Sequence, residues 1–278
     1  MTIRLAAIQP TAGTGRAEER NATDALDWLD KAAASGADLV LFPEGYPGPT
    51  NPRNHFDAFG PLAERAARLG VHVVAGRIEP VEDGNGYYVV LHLIDDEGAT
   101  VGLYRRTTPV GPYVYHDIDA WNFDYVESAG ELPVFDTKLG RIGLQVCSEV
   151  YSTEQSRLLA LKGAEIILYP AGGGINELRP AWQTVVWARA IENLVYTAAV
   201  QNLYSEGERG LGMIASPEAV LAQHDRAGMI AADLDLDRLA FLRAEDEKIE
   251  SPRRYRTVPG LLRWRRPEVI EQLTTVGS

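Results

Sequence analysis

The amino-acid sequence predicts an α/β protein built from two similar halves. Apolar runs typical of strands alternate along the chain with stretches whose apolar residues recur at three- and four-residue spacing, as in amphipathic helices. An internal repeat is the second observation, since Gly36–Pro43 is matched by Gly163–Pro170. Each copy follows a predicted helix and supplies an apolar run. The repeat is compatible with the ordinary order of helix, stop and strand in α/β proteins. The more specific interpretation is a pseudo-symmetric fold with two similar halves.

The period of the apolar residues, and the glycines and prolines that end each run, locate the elements in order. The predicted strands are Ile3–Ile8, Leu39–Phe42, Val71–Ala75, Tyr87–Ile94, Ala99–Tyr104, Ile142–Val146, Ile166–Tyr169, Val195–Val200 and Met229–Asp233. The predicted helices are Ala22–Ala33, Leu62–Leu69, a helix that a Ser152–Gln155 capping box opens and that runs to Lys162, Trp182–Asn193 and Leu236–Leu242. Asp95–Gly98 separates two strands as a hairpin turn. No linker divides the chain, so we expect a single domain over residues 1–278, with an extended tail from about residue 244.

Composition and charge exclude several classes of function. The net charge of −12 disfavours binding to nucleic acid, whose phosphates are also negative. A single cysteine among the 278 residues cannot form an internal disulfide or a cysteine-based zinc site. The five histidines are scattered, and no glycine-rich phosphate loop is present, so we expect neither a metal nor a cofactor. Because no apolar run reaches about 18 residues and no signal peptide is recognisable, we expect a cytoplasmic protein without membrane contact.

Two residues lie at strand ends, positions that are typical of catalytic groups in α/β proteins. Cys147 follows a predicted strand, just before the loop that leads into the capped helix. That position can expose the sulfur, and a helix N-terminus lowers a thiol pKa, which favours a nucleophile over an inert core cysteine. Glu44 follows another strand, and the second copy of the repeat has Ala171 in its place. The difference indicates that Glu44 is a general base and more than a loop glutamate.

Five segments of the chain resemble the carbon–nitrogen hydrolase family, the nitrilase superfamily. They are Phe42–Gly48, Gly98–Arg106, Gly140–Glu149, Trp187–Asn193 and Asp233–Asp237. The resemblance covers residues from about 3 to 243, and the segments follow one another in the family's order. Several motifs in one order are far more specific than any one of them.

The resemblance implies a four-layer α-β-β-α sandwich with two pseudo-symmetric βα halves, packed into a homodimer or a higher homo-oligomer. It also implies a Glu-Lys-Cys triad, with Glu44 as the general base and Cys147 as the nucleophile. The expected reaction is hydrolysis of a non-peptide carbon–nitrogen bond in a small molecule through a thioester, with release of ammonia or an amine. Glu149 and the run Gly45–Pro47 favour nitrilases and aliphatic amidases, and the choice between amide and nitrile stays open.

The sequence departs from the family at the lysine, where Arg106 stands after Tyr104 and Arg105. Arginine keeps the positive charge, but its pKa is too high for it to pass protons. Arg106 is therefore predicted as a purely electrostatic catalytic group. The alternatives are a diverged chemistry and a non-catalytic relative that binds a small ligand.

The family commonly has a second carboxylate in the loop that follows the lysine motif. Asp124 is the candidate in this sequence, with Asp117 and Asp119 as further options; a solvated loop acid is the alternative for each. The same loop is rich in aromatic residues, which predicts pocket walls or a subunit contact. These residues are Tyr113, Tyr115, Trp121, Phe123 and Tyr125.

Overall fold

Two β-sheets carry the fold in the computed structural model, which describes residues 1–51, 54–81, 86–108, 124–125, 130–244 and 255–274. The strands are β1 (Thr2–Gln9), β2 (Leu39–Leu41), β3 (His72–Pro80), β4 (Gly86–Ile94), β5 (Thr100–Arg105), β6 (Asp124–Tyr125), β7 (Val134–Thr137), β8 (Gly140–Leu144), β9 (Ile166–Ala171), β10 (Tyr196–Gln201), β11 (Gly212–Ala215), β12 (Val220–His224) and β13 (Gly228–Asp235). The helices are α1 (Arg20–Ala34), α2 (Phe59–Leu69), α3 (Thr153–Leu161), α4 (Arg179–Asn193), α5 (Leu236–Arg243) and α6 (Pro267–Ile270). The hairpin turn expected at Asp95–Gly98 connects β4 to β5, and the Asp95 N–H donates to the carbonyl of Ala99 at 2.9 Å.

The two sheets repeat one topology. The first has the order β13-β1-β2-β3-β4-β5, with β6 beside the start of β4, and the second has the order β7-β8-β9-β10-β11-β12. In the first, β1, β2 and β3 are parallel and β4 and β5 follow antiparallel. In the second, β8, β9 and β10 are parallel and β11 and β12 follow antiparallel. The repeated sequence segments supply β2 and β9, the middle strand of each parallel trio, which confirms the predicted pseudo-symmetric halves.

Alternation along the strands separates the layers. Leu39 and Leu41 of β2 belong to the apolar cluster between the sheets, whereas Val40 belongs to a second cluster beneath α1 and α2. This is the period of two that a strand buried on both faces requires. On the other side, α3 and α4 pack Leu159 and Val186 against the second sheet. The order of layers is α-β-β-α, as predicted.

The C-terminal segment differs from the predicted extended tail. Residues 255–274 contain three short helical turns, the middle one being α6, which starts at Pro267. Proline favours the first turn of a helix because its φ angle is preset and its missing N–H is not needed there. The Gly260 N–H donates to the carbonyl of Leu242 at 2.9 Å, which ties this segment to the end of α5. None of the helices in the described ranges is long and apolar enough to cross a membrane.

Candidate active site

Three strand ends meet around one cavity of about 780 Å³, which Arg106 does not line but reaches through its hydrogen bonds to Glu44 and Ser148. Glu44 follows β2, Arg106 directly follows β5, and Cys147 follows β8. Glu44, Cys147, Ser148 and the backbone around Gly172 line the cavity. Glu44 and Arg106 follow strands of the first sheet, and Cys147 follows a strand of the second. The packing of the two sheets therefore brings the three residues together.

Cys147 begins a short 3-10 helix, Cys147–Tyr151, with its backbone in the left-handed region at φ 52°. Residues other than glycine seldom adopt this conformation, and it is typical of strained turns at functional sites. The pKa of the Cys147 thiol is raised to about 12, mainly by burial and secondly by the negative charge of Glu44. Arg106 and the backbone of Gly172 and Ser148 act in the opposite direction. The expected lowering by backbone N–H groups at the start of the helical turn is present, but desolvation outweighs it, so the net shift of the thiol pKa is upward and the expected lowered pKa is wrong.

Glu44 is held at both its backbone and its carboxylate. Its carbonyl accepts a hydrogen bond from Asn202 Nδ2 at 2.9 Å, and its Oε1 accepts one from Arg106 Nη1 at 3.0 Å. Its Oε2 faces Gly172, where an added Cβ would lie only 3.0 Å away. Gly172, which follows β9 in the second half, therefore leaves space for the carboxylate of Glu44 from the first half. Sequence reasoning missed Asn202, since nothing in its local pattern marks it.

The guanidinium of Arg106 is fully buried, and each of its three nitrogens donates a hydrogen bond. Nη1 reaches Glu44, Nη2 reaches Ser148 Oγ at 2.6 Å, and Nε reaches the carbonyl of Thr108 at 2.7 Å. Arg106 thus links the predicted base to the residue that follows the predicted nucleophile. A guanidinium is suited to this because its donors diverge in a fixed plane.

Glu149 is a buried carboxylate that sequence reasoning related only to the type of substrate. Its Oε1 accepts from the N–H of Thr107 and from Thr107 Oγ1, both at 2.8 Å, and from the N–H of Thr108 at 3.0 Å. Its Oε2 accepts from the N–H of Val146 at 2.7 Å and from the hydroxyl of Tyr104 at 2.8 Å. Glu149 therefore joins the chain on both sides of Arg106 to the residue before Cys147. Its position two residues after Cys147 marked Glu149 in the sequence as a residue near the site, but the sequence could not show its hydrogen-bond partners.

The capping box predicted for α3 is absent, although the helix is present. Ser152 makes no side-chain cap. The Gln155 amide donates to Thr108 Oγ1 at 2.9 Å, and its oxygen accepts from Gln145 Nε2 at 3.0 Å. Gln155 thus adds a second tie between the Arg106 segment and the strand that leads to Cys147. The tertiary partners available to this side chain replace the local one.

The second carboxylate stays a prediction. Asp124 lies in β6, where its backbone pairs with that of Gly86. Asp117 and Asp119 lie outside the described residues, as do most of the aromatic residues predicted to form walls; the exception, Tyr125, is in β6.

Comparison with known proteins finds relatives and solved structures that match nearly the whole chain. The chain is 25% identical to a citrullinase of Francisella tularensis over 98% of both chains, and 23% identical to the human omega-amidase NIT2 over 88% of this chain and 92% of the other. A crystal structure of a carbon–nitrogen hydrolase from Helicobacter pylori G27 superposes with a TM-score of 0.80 at 20% identity, covering 99% of each chain. An amidase from Nesterenkonia sp. AN1, solved as a mutant in complex with butyramide, gives a TM-score of 0.75 at 21% identity, covering 97% and 96%. These likenesses confirm the predicted sandwich.

The family model described as "Carbon-nitrogen hydrolase" matches residues 4–244. This range contains both sheets, all three strand ends at the cavity and the five segments on which the resemblance was based. The chain belongs to the carbon–nitrogen hydrolase family.

Proposed function

We propose that this protein is an amidase that cleaves the carbon–nitrogen bond of a small amide through a thioester on Cys147. The observation that carries the proposal is the hydrogen-bonded series Glu44, Arg106, Ser148 at the cavity that contains Cys147. This series supports Glu44 as the base and Arg106 as a fixed cation beside the proposed nucleophile, which is the combination that acyl transfer requires. The choice of amide over nitrile follows the similar proteins, which include a citrullinase, an omega-amidase and an amidase complexed with butyramide.

The first step is attack by sulfur with simultaneous loss of its proton. Because burial raises the pKa of Cys147 to about 12, the thiol is protonated near neutral pH. Glu44 takes this proton as the S–C bond forms, and the carbonyl π electrons move to oxygen. Arg106 bonds to Oε1 of Glu44, which stabilises the ionised carboxylate until it accepts the proton.

The positive charge of Arg106 also stabilises the oxyanion of the tetrahedral intermediate, together with the backbone N–H of Ser148. Arginine is too basic to pass protons, so every proton transfer goes through Glu44. Glu44 returns the proton to the leaving nitrogen, the C–N bond breaks, and ammonia or an amine departs. Water then loses a proton to Glu44 as it attacks the thioester, and that proton returns to sulfur when the acid is released. Asp124 is proposed as an additional carboxylate at this site.

Ammonia release from a panel of amides, nitriles and N-carbamoyl compounds tests the proposal, with Cys147→Ala as the inactive variant. Rapid quenching and mass spectrometry should detect an acyl group on Cys147 during turnover. If the alanine variant retains wild-type turnover, the thioester mechanism is excluded. If no compound is hydrolysed and iodoacetamide labels Cys147 more slowly than a free thiol, the protein is a ligand-binding relative, which the high pKa of the buried thiol would then explain.

A further inference from the structure

The cavity continues beyond the catalytic groups along an apolar wall that comes from both halves of the fold. Ile78 and Val89 are directly opposite each other in the β3–β4 pairing and are almost fully buried. Cross-strand partners share one face of a sheet, so both side chains are directed to the same part of the cavity that they line. They form the side of the cavity that the first sheet contributes.

Helix α4 and the 3-10 turn that Cys147 begins contribute an aromatic and aliphatic side. Leu178 is the residue before α4, and Trp182 lies four positions later, on the same face of the helix. The Trp182 ring meets the Tyr151 ring edge to face, with centroids 5.7 Å apart. Tyr151 ends the 3-10 turn that Cys147 begins, which makes this wall continuous with the nucleophile. Trp182 is buried, whereas Leu178 is 55% exposed and stands at the opening of the cavity.

Among the described residues, four polar side chains that line the cavity donate hydrogen bonds within the protein. Asn21 Nδ2 donates to the carbonyl of Gly13 at 3.0 Å, and the Tyr204 hydroxyl donates to the carbonyl of Gly172 at 2.6 Å. Asn202 Nδ2 donates to Glu44, as described above. Thr50 Oγ1 donates to the carboxylate of Glu18, which is buried behind it. This side therefore combines occupied donors with a negative charge, both unfavourable to an anionic substrate group.

We infer that this wall is an acyl-chain subsite, and that the substrate is an amide with an uncharged, apolar chain of about four or more carbons. The inference rests on the proposed function, because it places the scissile amide at Cys147. A volume of about 780 Å³ lies within the range of sites for drug-sized molecules and exceeds what acetamide needs. The acyl chain extends from the carbonyl past Tyr151, between the Ile78–Val89 pair and Trp182. A carboxylate in that position would lose its hydration without gaining a partner from this wall.

The test is kcat/KM for acetamide, butyramide, hexanamide and 3-phenylpropanamide, with the carboxylate-ended monoamides succinamate and glutaramate for comparison. Each buried methylene should raise kcat/KM about fourfold until the chain fills the subsite. The carboxylate-ended amides should be at least about 10²-fold poorer than hexanamide. Equal rates along the series, or a preference for glutaramate, would overturn the subsite and leave amide hydrolysis in place.

Leu178→Arg tests the position of the chain without disturbing the buried wall, because Leu178 is already half exposed. It should lower kcat/KM for hexanamide about tenfold and change kcat/KM for acetamide less than about twofold. The ratio of kcat/KM for hexanamide to kcat/KM for glutaramate should also become smaller. Leu221→Arg is the matched control, since Leu221 is 39% exposed on β12 and does not line the cavity. An equal effect of both substitutions on hexanamide would refute the placement.

If the protein hydrolyses no amide, the proposed function fails and the subsite is judged separately. The readout is then the rate at which iodoacetamide alkylates Cys147 in the presence of each amide. Protection by hexanamide but not by glutaramate supports the subsite. Equal protection by both, or stronger protection by glutaramate, contradicts it.

Discussion

Glutamine at position 149 would test whether Glu149 holds the catalytic segments together. The carboxylate accepts five hydrogen bonds, three at one oxygen and two at the other. In Glu149→Gln the better orientation keeps the amide oxygen toward Thr107 and Thr108 and turns the NH₂ group toward Tyr104 and Val146. The Tyr104 hydroxyl can rotate and accept, but the Val146 N–H can only donate, so it is left buried beside another donor.

The structure allows the cost to be worked out. One buried N–H without an acceptor costs about 1–3 kcal/mol, and the remaining hydrogen bonds lose the strengthening that a charged acceptor gives. Together these give about 2–4 kcal/mol of unfolding free energy. A chain of this size loses about 2–4 °C in Tm for each kcal/mol, so the expected shift is about 4–16 °C. Because Thr108 also accepts from Arg106 and Val146 precedes Cys147, kcat at 25 °C should fall about 10- to 100-fold.

Calorimetry and ammonia release, both at pH 7, measure the two effects. Glu165→Gln is the matched control, since Glu165 Oε2 accepts the N–H of Arg141 at 2.9 Å in the second sheet, away from the cavity. The control should lower Tm less and leave kcat unchanged. A Tm for Glu149→Gln within about 2 °C of wild type would refute the hydrogen-bond argument. A lowered Tm with unchanged kcat would show that Glu149 stabilises the fold but does not position the site.

Four further predictions concern the catalytic groups themselves. Glu44→Gln should lower kcat at least about 10²-fold, the usual contribution of a general base, and a loss under threefold would make Glu44 structural. Arg106→Ala should lose about 10²–10³-fold in rate, whereas Arg106→Lys keeps the charge beside Glu44 and should lose far less; equal losses would contradict an electrostatic role. Gly172→Ala should lower kcat several-fold with little change in Tm, because the new Cβ would lie 3.0 Å from Glu44 Oε2. Folding raises the pKa of Cys147 from 9.0 to about 12, so its contribution to stability is complete below pH 9 and is lost as the pH rises toward 12. Urea titrations should therefore show wild type losing more stability than Cys147→Ala between pH 8 and pH 11, and parallel losses would contradict the raised pKa.

The fold was largely predictable because its signals are local. The strand ends that precede Glu44, Arg106 and Cys147 were predicted within one or two residues, since the end of an apolar run marks the end of a strand directly. The short strands β7, β11 and β12 were missed. Each has only four or five residues, and such short runs give too little period to recognise.

What the sequence could not show depends on contacts between distant segments. Glu149 meets Thr107 across 42 positions, and Asn202 meets Glu44 across 158. The thiol pKa was predicted with the wrong sign for the same reason. A strand end suggests exposure, but the packing of the two sheets buries Cys147 and makes desolvation the largest influence on the sulfur.

The repeated halves explain why the site has its base on one side only. The equivalent ends of β2 and β9 both reach the cavity, through Glu44 in the first half and through Gly172, the residue after Ala171, in the second. An added Cβ on Gly172 would already crowd the Glu44 carboxylate at 3.0 Å, so the space there is filled by one acidic side chain. The second copy of the repeat, whose missing acid first drew attention to Glu44 in the sequence, therefore contributes the space that the Glu44 carboxylate occupies.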